Sequence, residues 1–160
     1  MHWRKNRKFS IFGFGLPAAL LLLALSGEPC LAQHANNWTL FGGALLSSPS
    51  GFVLGGGLGL HVTPNVYFEP TLALGRKDSH GLFSLDGSFE YVFHLSDTRI
   101  RPYVLGGVGL AQIGGDTHGS PIIGVGAFFP LASGGISIRP EVRVAGDGLS
   151  RFTIGISKSF

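Results

Sequence analysis

The chain has 160 residues, of which 44% are hydrophobic and 13% are charged, with one cysteine, Cys30. This length fits a single domain, and a lone cysteine excludes a disulfide framework and a Cys-based metal site. The formal net charge of +3 arises from residues 1–32, so residues 33–160 are neutral overall and give no sign of a nucleic-acid partner.

Residues 1–32 have the layout of a secretory signal peptide. The chain begins with four basic residues (Arg4, Lys5, Arg7 and Lys8), continues as an apolar run to Leu25 and ends on Cys30-Leu31-Ala32. A basic start, an apolar middle and a small-residue exit define a cleavable export signal, so we expect cleavage after Ala32. Two alternatives are a retained membrane helix, for which the apolar run is short, and a lipoprotein anchor on Cys30. Glu28 and Pro29 argue against the anchor, because small residues are expected directly before its cysteine.

The remaining residues predict β-strands rather than helices. Glycine is frequent there, and each interior glycine costs a helix about 1 kcal/mol relative to alanine. Apolar and polar residues alternate with a period of two between clusters of turn residues, and most runs have the ~9–11 residues that a tilted strand needs to cross a bilayer. In chain order the eight predicted strands are Trp38–Leu46, Phe52–Val62, Val66–Gly75, Leu82–Leu95, Ile100–Ile113, Pro121–Phe129, Ile136–Ala145 and Arg151–Phe160.

The apolar faces of these runs indicate contact with lipid. Residues 33–160 contain only two lysines, whereas a soluble barrel usually carries many charges outside. Aromatic residues crowd the apolar face, often near strand ends, as the girdles of membrane barrels do; they are Trp38, Tyr91, Phe93, Phe128, Phe129 and Phe160. Because lipid forbids an open sheet edge, we predict an all-β fold: an eight-stranded antiparallel up-and-down transmembrane β-barrel over residues 33–160.

The last run ends the chain on an aromatic residue, with apolar residues at alternate positions before it (Phe152, Ile154, Ile156 and Phe160). This pattern resembles the C-terminal assembly signal of bacterial outer-membrane barrels, although Lys158 departs from it. The segments RPYVLGGVGLA and ISIRPEVRV resemble strands of small OmpA/OmpX-type barrels. The resemblance implies an outer-membrane location, both termini in the periplasm, contact with outer-membrane lipid, and periplasmic chaperones and the barrel-assembly machinery as partners during biogenesis.

The polar faces predict a charged network inside the barrel. Its expected members are Glu69, Asp86, Glu90, Arg139, Glu141 and Arg143. An eight-stranded interior is just wide enough for side chains to fill it, so a structural role is favoured over a gate or ion path. Five glycines at positions 55, 57, 59, 124 and 126 fall on the same predicted face and would let large side chains lie against the wall.

These features favour a non-catalytic, monomeric barrel that is structural or interacts with the membrane. A narrow channel for small solutes is the first alternative. A lipid A-modifying enzyme is the second, since His118 and Ser120 have the spacing of a deacylase pair with Asp116 nearby, but they fall in a predicted loop rich in such residues. We expect no catalytic residues, no cofactor and no metal, because the histidines at 61, 80 and 94 lack ligand spacing and the GGGLG segment precedes a strand instead of a helix.

Overall fold

The computed structural model describes residues 36–47, 50–131 and 135–160. Its eight strands are β1 (Asn37–Leu45), β2 (Gly51–Thr63), β3 (Val66–Lys77), β4 (His80–Val92), β5 (Arg101–Ile113), β6 (Asp116–Pro130), β7 (Ile136–Ala145) and β8 (Arg151–Ser159). The described part of the chain contains no helix that is long and apolar enough to cross a membrane. The predicted signal peptide (residues 1–32) and its cleavage site lie outside the described residues.

The strands form one closed barrel in which each strand pairs antiparallel with its neighbour in sequence. Closure comes from β1 and β8, whose ladder runs from Asn37 opposite Ser159 to Leu45 opposite Arg151. Every strand therefore has a hydrogen-bonded neighbour on both sides and the sheet has no open edge. This architecture confirms the predicted fold class.

Strand β6 begins earlier than the sequence indicated. The polar stretch before Pro121 was predicted to be a loop, but Asp116 pairs with Ile113 and the hairpin turns on Gly114 and Gly115 alone. Both glycines have positive φ, at 61° and 109°, which a two-residue hairpin turn requires and glycine adopts without steric cost. A turn of two glycines thus replaces the predicted loop of seven residues. The polar residues that were predicted to form the rest of this loop pair with β5 instead.

Strand β4 ends earlier than predicted, at Val92 instead of Leu95. The N–H of Phe93 still donates to the carbonyl of Pro102 at 2.8 Å, but a proline has no N–H to return the second bond of that pair. The ladder stops there, and His94 lies outside the strand and exposed. His94 therefore does not belong to the polar inner face of β4.

The outer surface of the barrel is apolar over much of its area. Val108 is 69% exposed, Ile123 66% and Leu54 61%, and they point away from the lumen. Phe128 was predicted on this surface, but it is buried inside the barrel with its ring 5.1 Å from that of Tyr103. Consecutive residues of a strand face opposite sides, so Phe128 and Phe129 cannot share a face, and Phe129 is the one that points outward.

Candidate functional site

The buried charges of the barrel collect in one place inside the lumen. They come from β3 (Glu69), β4 (Asp86 and Glu90), β7 (Arg139, Glu141 and Arg143) and β8 (Arg151), and each is at most 7% exposed. The alternation of the strands explains the grouping, because all seven residues stand on the inward-facing side of their strand. The structure thus brings together the six residues that the sequence singled out and adds Arg151. We call this set the lumenal network.

Arg139 is the centre of the lumenal network. Its guanidinium forms ion pairs with Glu69 and Glu90 and a third, at 2.8 Å, with Glu141. Its Nε donates a hydrogen bond of 2.6 Å to the hydroxyl of Tyr103, which in turn donates to Glu141 at 2.7 Å. One planar cation therefore joins carboxylates from three strands, as the fork of donors on a guanidinium allows.

The same guanidinium is enclosed by aromatic rings. Its Cζ lies 4.7 Å from the ring centre of Tyr103 and 5.1 Å from that of Phe128. A cation over an aromatic face gains a further electrostatic attraction, which is larger when water is excluded. The inward turn of Phe128 thus helps to hold Arg139, a role that its predicted place on the lipid side would not allow.

Two further arginines extend the network along the lumen. Arg143 pairs with Glu69 at 2.9 Å, with Asp86 at 3.5 Å and with Glu141 through its Nε. Arg151 pairs with Asp86 at 2.6 Å and donates to the hydroxyl of Ser84 at 3.3 Å. Positive and negative groups therefore alternate from Arg139 to Arg151, and this alternation offsets part of the cost of burying charge.

Glycines on the facing wall make room for these large side chains. A methyl group added to Gly126 would collide with the hydroxyl and ring of Tyr103, and one on Gly124 would lie 3.2 Å from the side chain of Arg143. On the opposite wall, a methyl group on Gly55 would collide with the ring of Phe41. Neighbouring aromatic and arginine side chains therefore take up the space that a side chain at these positions would need.

The space that remains beside the network is small. One cavity of about 30 Å³, measured as room for the centres of water molecules, is lined by polar groups of Ser84, Asp86, Arg143 and Arg151. Another of about 10 Å³ lies between Thr39, Glu69 and Arg139. A single buried water needs roughly 10–15 Å³ by this measure, so each cavity fits one or two waters. Leu45, Val53, Leu82 and Ala111 form an apolar cluster that lines the rest of the larger cavity.

The carboxyls of Glu69, Glu90 and Glu141 each place one oxygen within 4.8 Å of the others, a spacing that a metal ion could use. Arg139 already binds all three carboxyls. The positive charge that a metal would supply to these three carboxyls is thus present as the guanidinium of Arg139.

Two participants were missed by the sequence analysis. Arg151 has the same parity as Thr153 and Ser157 on the polar face of β8, and that parity would have revealed it. Tyr103 lies in a run, Ile100–Ile113, that is mostly apolar or glycine on both faces, and the sequence carries no signal for its contact with Arg139. Four residues of the predicted assembly signal, Phe152, Ile154, Ile156 and Phe160, are exposed on the outer side of the barrel.

The candidate deacylase residues lie on β6. His118 stands opposite Ala111 and Ser120 opposite Gly109, so both occupy inward-facing positions near one end of the barrel. His118 is exposed, and no hydrogen bond joins it to Ser120 among the described residues. A nucleophile needs its base within hydrogen-bonding reach, and this pair does not show that arrangement.

No protein family model matches this sequence, and no curated protein is similar to it. Solved structures do match. The N-terminal β-barrel domain of Pseudomonas aeruginosa OprF is 16% identical with a TM-score of 0.68, over 81% of this chain and 100% of that domain. A de novo designed transmembrane β-barrel (16% identical, TM-score 0.59) and Neisserial surface protein A (16% identical, TM-score 0.57) each match over 81% of this chain and 98% of their own. At these identities the likeness shows the fold: a small eight-stranded barrel of the kind found in outer-membrane proteins.

Proposed function

We propose that this chain is a non-catalytic β-barrel of a bacterial outer membrane, structural or membrane-interacting, with a lumen filled by polar side chains. The observation that carries the proposal is the distribution of charged and apolar residues, which is the reverse of that in a soluble protein. Charged residues of the lumenal network are buried, whereas large apolar residues cover the outside. Soluble monomers rarely expose a contiguous apolar surface of this kind, and a lipid bilayer is the environment in which it is stable.

A structural role is supported by the packing of the lumen. Arg139, Arg143 and Arg151 lie among the buried carboxylates, and each of the two described cavities beside them fits one or two waters. An ion passage needs a continuous water-lined path, and eight strands leave an interior that side chains fill. We therefore favour a role in envelope integrity or in contact with membrane components over transport.

The partners that fit this proposal are those of a membrane barrel. Outer-membrane lipid would cover the apolar belt, and the assembly machinery and periplasmic chaperones would act during biogenesis, with Phe160 and its outward-facing neighbours as the recognition strand. Lys158 stands opposite Trp38 on the outer face, where a long side chain can extend its charge toward the lipid headgroups. The proposal needs no second copy of the chain and no nucleic acid.

Heat modifiability in the outer-membrane fraction tests location and fold together. The chain is expressed with its own N-terminal segment, membranes are separated, and gels are run with and without boiling. A closed barrel stays folded in unheated detergent and migrates apart from the boiled chain. A shifted band in the outer-membrane fraction is the expected result, while a soluble periplasmic protein without the shift would refute the proposal.

Conductance in planar bilayers separates the structural role from the channel alternative. The wild type is expected to give no steady current steps. The matched variant replaces Glu141 and Arg143 together by alanine, which removes one charge of each sign and enlarges the lumen. Steps in this variant alone would support a filled lumen, whereas steps of equal size in the wild type would favour the narrow channel.

A further inference from the structure

The lumenal network contains more acids than bases. Four carboxyls (Glu69, Asp86, Glu90 and Glu141) face three guanidiniums (Arg139, Arg143 and Arg151), and all seven side chains are nearly inaccessible to water. If every group kept its usual charge, the barrel would enclose one uncompensated negative charge. An isolated carboxylate in an apolar interior is so unfavourable that such a group normally loses its charge.

The contacts identify the carboxyl that is least compensated. Glu69 and Glu141 each bind two guanidiniums, Arg139 and Arg143, and Asp86 also binds two. Glu69 accepts a further hydrogen bond from Thr71 at 3.1 Å, and Glu141 accepts one from Tyr103 at 2.7 Å. Glu90 binds Arg139 alone, through Oε1, and its Oε2 has no hydrogen-bond partner among the described residues although Glu90 is 0% exposed.

The surroundings of Glu90 offer no other source of compensation. Tyr67 and Leu105 lie directly opposite it on β3 and β5. The charged or titratable groups that face it are Glu69 and Tyr67 from β3, Tyr103 from β5, and Arg139 and Glu141 from β7. Arg139 is the one cation among these groups, and it is shared with two other carboxylates. Glu90 also lines neither described cavity, so neither offers it a bridging water.

We propose that Glu90 is a proton-binding site, and that its carboxyl is neutral in the folded barrel at neutral pH. The bound proton leaves three carboxylates against three guanidiniums. It also turns Oε2 from an unpartnered acceptor into a donor, and acceptors are close, since one oxygen of each of Glu69, Glu90 and Glu141 lies within 4.8 Å of the others. A small cation is the other occupant that could balance the charge, but it would have to enter beside Arg139, which repels it, and Glu90 lines neither of the two described cavities.

Infrared spectroscopy of the purified barrel tests the assignment directly, because the carbonyl stretch of a protonated carboxyl is separated from the carboxylate bands. At neutral pH an ordinary glutamate is ionised, so the wild type is expected to show a protonated-carboxyl band from one residue. Glu90→Gln should remove that band, and Asp116→Asn, which makes the same acid-to-amide change at an exposed carboxyl outside the network, should keep it. Absence of the band in the wild type, or its persistence in Glu90→Gln, would overturn the proposal.

Stability against pH gives a second readout that does not depend on assigning the band. Forced loss of the proton at alkaline pH would leave a fourth carboxylate without a partner, so the urea midpoint of the wild type should fall from neutral to alkaline pH more than that of Glu90→Gln. Equal slopes in the two proteins would contradict the proposal. Protection of the wild type, and not of Glu90→Gln, by added sodium or potassium ions would assign the site to a cation and would equally overturn it.

Discussion

Removing Arg139 tests whether the lumenal network holds the barrel together. The informative variant is Arg139→Met, which keeps an unbranched side chain of comparable length and deletes the guanidinium. Arg139 binds Glu69, Glu90 and Glu141 and is enclosed by Tyr103 and Phe128. The variant therefore removes one buried positive charge, while most of the apolar packing remains.

The size of the effect follows from the partners that remain. With Glu90 neutral, the network would hold three carboxylates against the guanidiniums of Arg143 and Arg151, so the deletion leaves one uncompensated negative charge. Removing one partner of a buried ion pair costs about 3–5 kcal/mol. We expect the unfolding free energy of Arg139→Met to fall by that amount. Restoring the balance with Arg139→Met and Glu141→Gln together should recover more than about 1 kcal/mol of it, because groups in one network are energetically coupled.

Urea titration of the barrel in lipid vesicles, followed by the unheated gel band, measures these free energies by linear extrapolation. The matched control is Arg76→Met, which makes the same chemical change at an exposed residue of β3 and should alter stability by less than about 0.5 kcal/mol. If Arg139→Met cost no more than the control, or if the double variant were no more stable than the single one, the network would not stabilise the barrel and the reasoning would be wrong.

Three further predictions address the wall, the outer surface and the last strand. Gly126→Ala should destabilise the barrel by about 1–3 kcal/mol in the same titration, because the added methyl group collides with Tyr103, whereas Gly81→Ala has nothing within 4 Å and should have little effect. Val108→Arg places a charge midway along β5 on the outer face and should cost about 2–4 kcal/mol in vesicles; an unchanged midpoint would argue against a lipid-facing surface. Phe160→Ala should lower the yield of heat-modifiable barrel in cells, with no loss of in vitro refolding; equal yields would separate this residue from assembly.

Much of the architecture follows from a pattern with a period of two. Ile136, Ile138, Val142 and Val144 alternate with Ser137, Arg139, Glu141 and Arg143, and β7 has the predicted bounds Ile136–Ala145. The errors fall where hydrogen bonding, not side-chain polarity, decides where a strand ends. Pro102 ends the ladder of β4, and the tight turn at Gly114 and Gly115 lets β6 begin earlier than predicted. Neither effect changes the alternation of apolar and polar residues, so the sequence pattern does not show them.

The lumenal network was predictable in its membership but not in its contacts. Strand parity and depth place Glu69, Arg139 and Glu141 near one another, since residues at equal height on inward faces of a narrow barrel must meet. Which carboxyl lacks a partner depends on the directions of individual side chains, which no periodicity encodes. The inward position of Phe128 was predictable, because Phe128 has the same parity as Gly124 and Gly126, which were predicted to face inward.

The cost of burying seven ionisable side chains raises the question of why the chain keeps them. An apolar interior of equal volume is often as stable as a buried ion network, so stability alone does not explain the arrangement. The need to fix the strand register explains it, because a slip of one residue turns every side chain of a strand to the other face. A slipped β7 would expose Arg139 and Arg143 to lipid, at about 2–4 kcal/mol for each near the bilayer centre. A barrel apolar on both faces would carry no such penalty, so the buried charges specify which face of each strand is inside.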